Sequence, residues 1–102
     1  MAKRINKESF AGEVLASKGL ALVDFYSDSC VPCKHLSPVL AELEDNGTAV
    51  FKVNIAYDAE LCEEYEVQST PTVLFFRDGA EVGRTVGFKS QTELEALINE
   101  LS

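Results

Sequence analysis

The chain has 102 residues, 46% of them hydrophobic and 25% charged, which suits one folded domain and argues against disorder. Acidic residues outnumber basic ones by 17 to 9, for a net charge of -8, so nucleic acid is not an expected partner: phosphate binding needs clustered Lys and Arg. No apolar run is long enough to span a bilayer, so no membrane partner is expected either. The first residues, Met1 to Lys7, are basic, but no apolar stretch of the signal-peptide kind follows. A cytoplasmic chain is the expectation. Its three cysteines are too few for a structural disulfide framework and suggest a metal site or a reactive thiol pair.

The elements read as follows. A short strand is expected around Ile5, then a helix capped by Asn6 and carrying Phe10, Val14 and Leu15. Lys18-Gly19 should close it. Residues 20–26 (Leu-Ala-Leu-Val-Asp-Phe-Tyr) are nearly all apolar, the mark of a strand covered on both faces, and Asp24 is the exception. From Cys33 the pattern turns helical through Leu36, Val39, Leu40 and Leu43, with Pro38 inside it as an expected kink. Asn46-Gly47 ends that helix. Ala49 to Ile55 reads as a third strand, and Asp58 as the cap of a short helix holding Leu61, Cys62 and Tyr65.

Thr70-Pro71-Thr72 precedes the strand Val73-Leu74-Phe75-Phe76. Arg77-Asp78-Gly79-Ala80 is a hairpin turn with Asp-Gly as its signature, and Glu81 to Val86 is the returning strand. Ser90-Gln91-Thr92-Glu93 forms a capping box for a last amphipathic helix. Parallel pairing with crossover helices is expected in the first half, and an antiparallel hairpin in the second.

The chemistry centres on Ser29-Cys30-Val31-Pro32-Cys33-Lys34-His35. A thiolate attacks a disulfide where a thiol barely does. A helix start at Cys30 would supply unpaired N–H groups and a favourable dipole for that anion. Pro32 suits a first helical turn, and spacing i, i+3 brings Cys33 within reach of Cys30. Lys34 adds a cation, whereas Asp28 would raise the thiol pKa. His35 lies about 200° from Cys33 on a helical wheel and reads as a rim residue. Two other readings stay open on the residues alone. Cys30, Cys33, His35 and Cys62 could ligate zinc, although no second C-x-x-C follows, or the pair could be merely structural. A dithiol between a strand and a helix favours redox chemistry. Asp24 fits it, since a lone carboxylate in an apolar strand needs a reason, and burial would raise its pKa.

Several further stretches stand in order around this motif: Val23-Asp24-Phe25-Tyr26, Pro38, Lys52-Val53-Asn54, Ser69-Thr70-Pro71-Thr72, Phe75-Phe76-Arg77-Asp78-Gly79 and Gly87. With the C-x-x-C they make the chain resemble the thioredoxin family over essentially its whole length. The resemblance implies one domain over residues 1–102, an α/β fold with a central five-stranded mixed sheet flanked by four helices. It implies a protein-disulfide reductant that cycles between the dithiol and a redox-active Cys30–Cys33 disulfide. Cys30 would attack and Cys33 would resolve. Asp24 would be the base for Cys33, and Lys52 would share its site. Val31, Pro32, Thr70, a cis Pro71 and Gly87 would line the target-binding surface.

The implied partners are a thioredoxin reductase and disulfide-containing target proteins. No cofactor or metal is implied, and a monomer is expected. Cys62 matches no catalytic position of the family and reads as a small buried apolar residue. The chain departs from the family pattern at Ser29 and Tyr26, where Trp is usual, and at Val31, where Gly is usual. These departures bear on potential and partner choice. A disulfide oxidase or isomerase, and a binding module without catalysis, are the alternatives that the resemblance leaves.

Overall fold

The structure, a computed structural model, describes residues 2–102, so Met1 of the basic N-terminal stretch lies outside it. Strand β1 (Lys3–Arg4) leads through Asn6 into helix α1 (Lys7–Phe10) and a π-helical turn (Ala11–Leu15). Then come β2 (Leu20–Tyr26), α2 (Val31–Asp45), β3 (Ala49–Asn54), α3 (Ala59–Glu64), β4 (Thr72–Arg77), β5 (Ala80–Val86) and α4 (Gln91–Leu101). The five strands form one sheet in the order β1-β3-β2-β4-β5. β3 runs parallel to both β1 and β2, while β4 is antiparallel to β2 and to β5. This is the mixed sheet with four helices that the family resemblance implies.

Side chains of a strand alternate between faces, and here each face has its own core. Val23 and Phe25 of β2 join Phe10, Val14, Val53, Leu61, Leu74 and Phe76 on the side of α1 and α3. Leu22 joins Leu36, Leu40, Leu43, Val50, Val73, Phe75 and Leu94 on the side of α2 and α4. Counting by twos, Asp24 and Tyr26 follow Leu22 onto the α2 side, as Lys52 follows Val50. The alternation therefore aims one buried carboxylate, one aromatic ring and one lysine at the helix that begins beside Cys30.

Helix α2 starts at Val31, directly after Cys30, with Pro32 in its first turn as expected, two residues before the apolar pattern shows it. Pro38 lies within α2, which continues to Asp45. The first helix does not run to Lys18-Gly19. It changes to a π turn closed by Ala16 N–H on the carbonyl of Ala11, 2.9 Å away. Asp58 stands at the start of α3, but its side chain does not cap that helix. Its Oδ1 accepts from the Lys7 backbone N–H at 3.3 Å, one of the unpaired donors of the first turn of α1. Asn6 and Ser90 cap α1 and α4 as read, each in a reciprocal capping box.

The Asp78-Gly79 turn has two positive φ angles, 51° and 84°, as a type I′ hairpin requires. It is also docked. Asp78 Oδ1 accepts from Gly19 N–H at 2.8 Å, and Asp78 N–H donates to the Gly19 carbonyl at 3.1 Å. A Cβ at Gly79 would stand 2.4 Å from the backbone oxygen of Leu15. Gly79→Ala is therefore expected to lower stability by about 2–3 kcal/mol in urea unfolding, through the left-handed φ and the clash together.

Candidate active site

All the strands that matter here converge on one end of the sheet. β2 ends at Tyr26 and hands over through Ser27-Asp28-Ser29 to Cys30. Cys30 has extended backbone (φ −88°, ψ 109°) and is the N-cap of α2, and its Sγ accepts from Cys33 N–H at 3.1 Å. That donor would be an orphan of the helix start. Aimed at sulfur, it and the helix dipole favour a thiolate at Cys30 once the bond is reduced. Cys30 and Cys33 are joined as a disulfide, with Cα atoms 5.2 Å apart. Cys33 is only 5% exposed while Cys30 is half-buried, so Cys30 is the more accessible of the two sulfurs.

Asp24 lies beneath. It pairs in register with Lys52 on β3 and Val73 on β4, and it is 1% exposed. Its Oδ1 has no hydrogen-bond partner among the described residues. Burial pushes its carboxyl up from the ordinary 3.8 to about 7, with the Lys52 ammonium pulling the other way. A cleft of about 170 Å³ is lined by Asp24, Tyr26, Asp28, Cys33 and Lys52, among others, so the carboxyl and the inner sulfur share one space wide enough to admit water. Asp28 accepts from the Asn54 side chain at 3.3 Å. Lys52 places its Nζ 4.5 Å from the centroid of the Tyr26 ring.

The other residues singled out by the sequence fall around the same end. The Thr70-Pro71 peptide is cis, and Pro71 is buried where β4 begins. Thr72 pairs with Phe25 and with Val86, which sets Pro71 beside the end of β2 and the end of β5. Gly87 N–H donates to the Pro71 carbonyl at 2.8 Å and ties the two segments together. Gly87 has φ +86° and open space where a Cβ would stand, so backbone conformation, not crowding, accounts for the glycine. Val31 and Pro32 line a surface groove of about 410 Å³ with His35 and Phe88. Val31, Val86 and Phe88 are 59%, 55% and 46% exposed, which makes this rim apolar.

Cys62 stands apart from this arrangement. It packs against the core on the α1/α3 side, and burial and then the Asp58 carboxylate raise its thiol pKa. Among the described residues no group of three or more His, Cys, Asp or Glu gathers as a metal site. Two neighbours of the dithiol escaped the sequence reading. Tyr26 was seen only as a replaced aromatic, yet its spacing of two from Asp24 already put it on the same face. Phe88 sits in a loop outside any periodic pattern and had no signal beyond adjacency to Gly87.

The raised Asp24 pKa carries a stability consequence. Between about 4 and 7 the folded state binds a proton that the unfolded state has released, so stability falls as pH rises through that window. Above it, the buried charge costs on the order of 4 kcal/mol. Asp24→Asn should therefore match the parent in urea unfolding of the disulfide form at pH 4 and exceed it by about 3–4 kcal/mol at pH 8.

Comparison with known proteins agrees with this geometry. The family model described as Thioredoxin matches residues 1–100. The chain is 42% identical to a thioredoxin of Chlamydia caviae over 104 residues, covering 100% of both chains. It is 41% identical to one of Chlamydia pneumoniae, covering 98% of each. It is 36% identical to one of Bacillus subtilis (strain 168), covering 91% of this chain and 90% of the relative. A thioredoxin domain with a Cys-x-x-Cys pair is a thiol–disulfide oxidoreductase whose dithiol form reduces protein disulfides. By whole-length similarity and by the paired cysteines at the start of α2, the chain belongs to the thioredoxin family.

Proposed function

We propose that residues 1–102 work as a single domain in which Cys30 is the nucleophile, Cys33 the resolving thiol and Asp24 the proton acceptor for Cys33. The observation that carries this is the cleft that Cys33 shares with Asp24, set behind an accessible Cys30. The Cys30 thiolate attacks one sulfur of a target disulfide. A mixed disulfide forms, and the first target sulfur leaves as a thiolate that takes up a proton. Cys33 then gives its proton to Asp24, directly or through water, and attacks Cys30 Sγ. The Cys30–Cys33 bond forms and the second target sulfur leaves. Two electrons have passed from the domain to the target, and a reductase restores them along with two protons. A carboxyl with a pKa of about 7 is matched to this task, since it can both take and return a proton near neutral pH. Lys52 favours the ionised form of that carboxyl.

Val31, Pro32, Thr70, Pro71 and Gly87 form the surface on which an extended target segment is laid. The hydrogen bond from Gly87 to the Pro71 carbonyl supports this, because it keeps the two loops as one platform beside β2. The backbone of Thr70 offers the target a pairing edge, in the manner of β-augmentation. The reductase is a thioredoxin reductase, the targets are disulfide-containing proteins, and the domain acts as a monomer. An apolar rim that must meet both kinds of partner has to stay uncovered. The setting is the cytoplasm. A reductant and a free thiol at Cys62 both suit a reducing compartment. Among the described residues, no helix is long and apolar enough to cross a membrane.

Insulin-disulfide reduction tests the assignment. Cys30→Ser should abolish turnover, and full activity in that variant would refute the nucleophile. Cys33→Ser should lose turnover but accumulate mixed disulfides on Cys30, visible as adducts in non-reducing gels. Asp24→Asn should keep attack by Cys30 and slow resolution, by about 10²-fold if the carboxyl acts as a general base.

A further inference from the structure

We infer that Tyr26 is a positioning residue whose ring holds the Lys52 ammonium away from the Asp24 carboxylate and so sets how tightly Asp24 keeps its proton. The placement follows from strand alternation and register. Asp24 and Tyr26 share a face of β2, and Lys52 stands opposite Asp24 on β3. From there the lysine has two electron-rich neighbours. One is the carboxylate, the other the face of the ring, whose quadrupole attracts a cation. The ammonium lies over the ring, 4.5 Å from its centroid, and among the described residues no ion pair joins Lys52 to Asp24.

The other groups around Asp24 leave Lys52 as the movable charge. From α2 come Cys33, which carries no proton in the disulfide, and Lys34 at the cleft wall. From the loop comes Asp28, engaged by the Asn54 side chain. Tyr26 itself brings a phenol to the same cleft. On β4 the residue paired with Asp24 is Val73, which is uncharged. On β1, Arg4 pairs beside Lys52 but lies over the Tyr57 ring, 4.6 Å from its centroid. Buried Asp24 thus depends on one nearby lysine for any pull towards ionisation. Withdrawing that lysine onto a ring keeps the carboxyl able to hold a proton near neutrality, which is where burial places it. The consequence for resolution by Cys33 rests on the proton-acceptor reading above; the positioning of Lys52 does not.

The test uses the disulfide form, in which neither Cys30 nor Cys33 titrates, and follows the Asp24 carboxyl ¹³C shift against pH. Tyr26→Phe and Tyr26→Trp keep an electron-rich face and should leave the midpoint where it is. Tyr26→Leu frees the ammonium and should lower the midpoint by about one pH unit. Replacing Tyr26 with pentafluorophenylalanine keeps the packing but inverts the charge of the ring face, and should lower it likewise even if the leucine variant fails to fold. In a Lys52→Met background none of these changes should move the midpoint further. An unmoved midpoint in the leucine and fluorinated variants overturns the inference. So does a shift that persists without Lys52, which would be a solvation effect, and so does a Tyr26→Phe shift as large as the others, which would make the phenol oxygen responsible. If the midpoint moves as expected while the pH profile of insulin reduction stays fixed, the positioning of Lys52 stands and the role given to Asp24 falls.

Discussion

Strand β2 is bonded along both of its edges, parallel to β3 and antiparallel to β4. The helices on either side of the sheet cover the two faces of β2 as well, so the side chains in the middle of the strand are committed to one core or the other. Leu22 goes to the α2/α4 side, and Val23 and Phe25 to the α1/α3 side. Asp24 has no third choice. It enters the α2 side as a carboxylate without a full set of partners, and its raised proton affinity is the direct result of that confinement. The rest of the site can be followed outward from this constraint. Two residues on, the same face presents Tyr26; one strand over, it presents Lys52; above it begins the helix that carries both sulfurs.

The dithiol is held by a different set of forces. Cys30 is placed by the geometry of a helix start, where backbone donors lack internal partners and one of them meets its sulfur. Cys33, three residues on, turns inward and is covered. The two sulfurs thus differ in access because a helix has an outside and an inside. The loops of Pro71 and Gly87 join through one backbone hydrogen bond, which ties both to the end of the sheet. Val31, Val86 and Phe88, each close to half exposed or more, leave apolar area at the surface.

The sequence pattern was most readable where one force acts alone. The continuous apolar run of residues 20–26 matches β2 to the residue, because burial on both faces admits little else. Asp78-Gly79 and the Ser90 capping box were equally legible, since each is a local backbone requirement met by a local side chain. It was less readable where two forces compete. Lys18-Gly19 looked like the end of the first helix, yet that helix ends earlier in a π turn closed by Ala16. Asp58 looked like a cap, yet its carboxylate serves Lys7 of another helix because folding brings that free N–H beside it. The π turn after Phe10 has no side-chain signature in this stretch and was not foreseen.

By itself, then, the sequence determined the chemistry on offer: a C-x-x-C at a strand–helix junction, one carboxylate in an otherwise apolar strand, a lysine in the strand pattern that follows, and a Thr-Pro pair before a later strand. These are properties of residue type and spacing, and they carry the family resemblance. Only the tertiary structure decided which of these groups meet. The pairing of β2 with β3 sets Lys52 across from Asp24, and the alternation of side chains brings Tyr26 to the same cleft. The position of the ammonium on the ring, and the groove that joins Phe88 to Val31, depend on contacts between residues far apart in the chain. No spacing rule reaches such contacts, because strand register and helix docking are settled by the packing of the whole core.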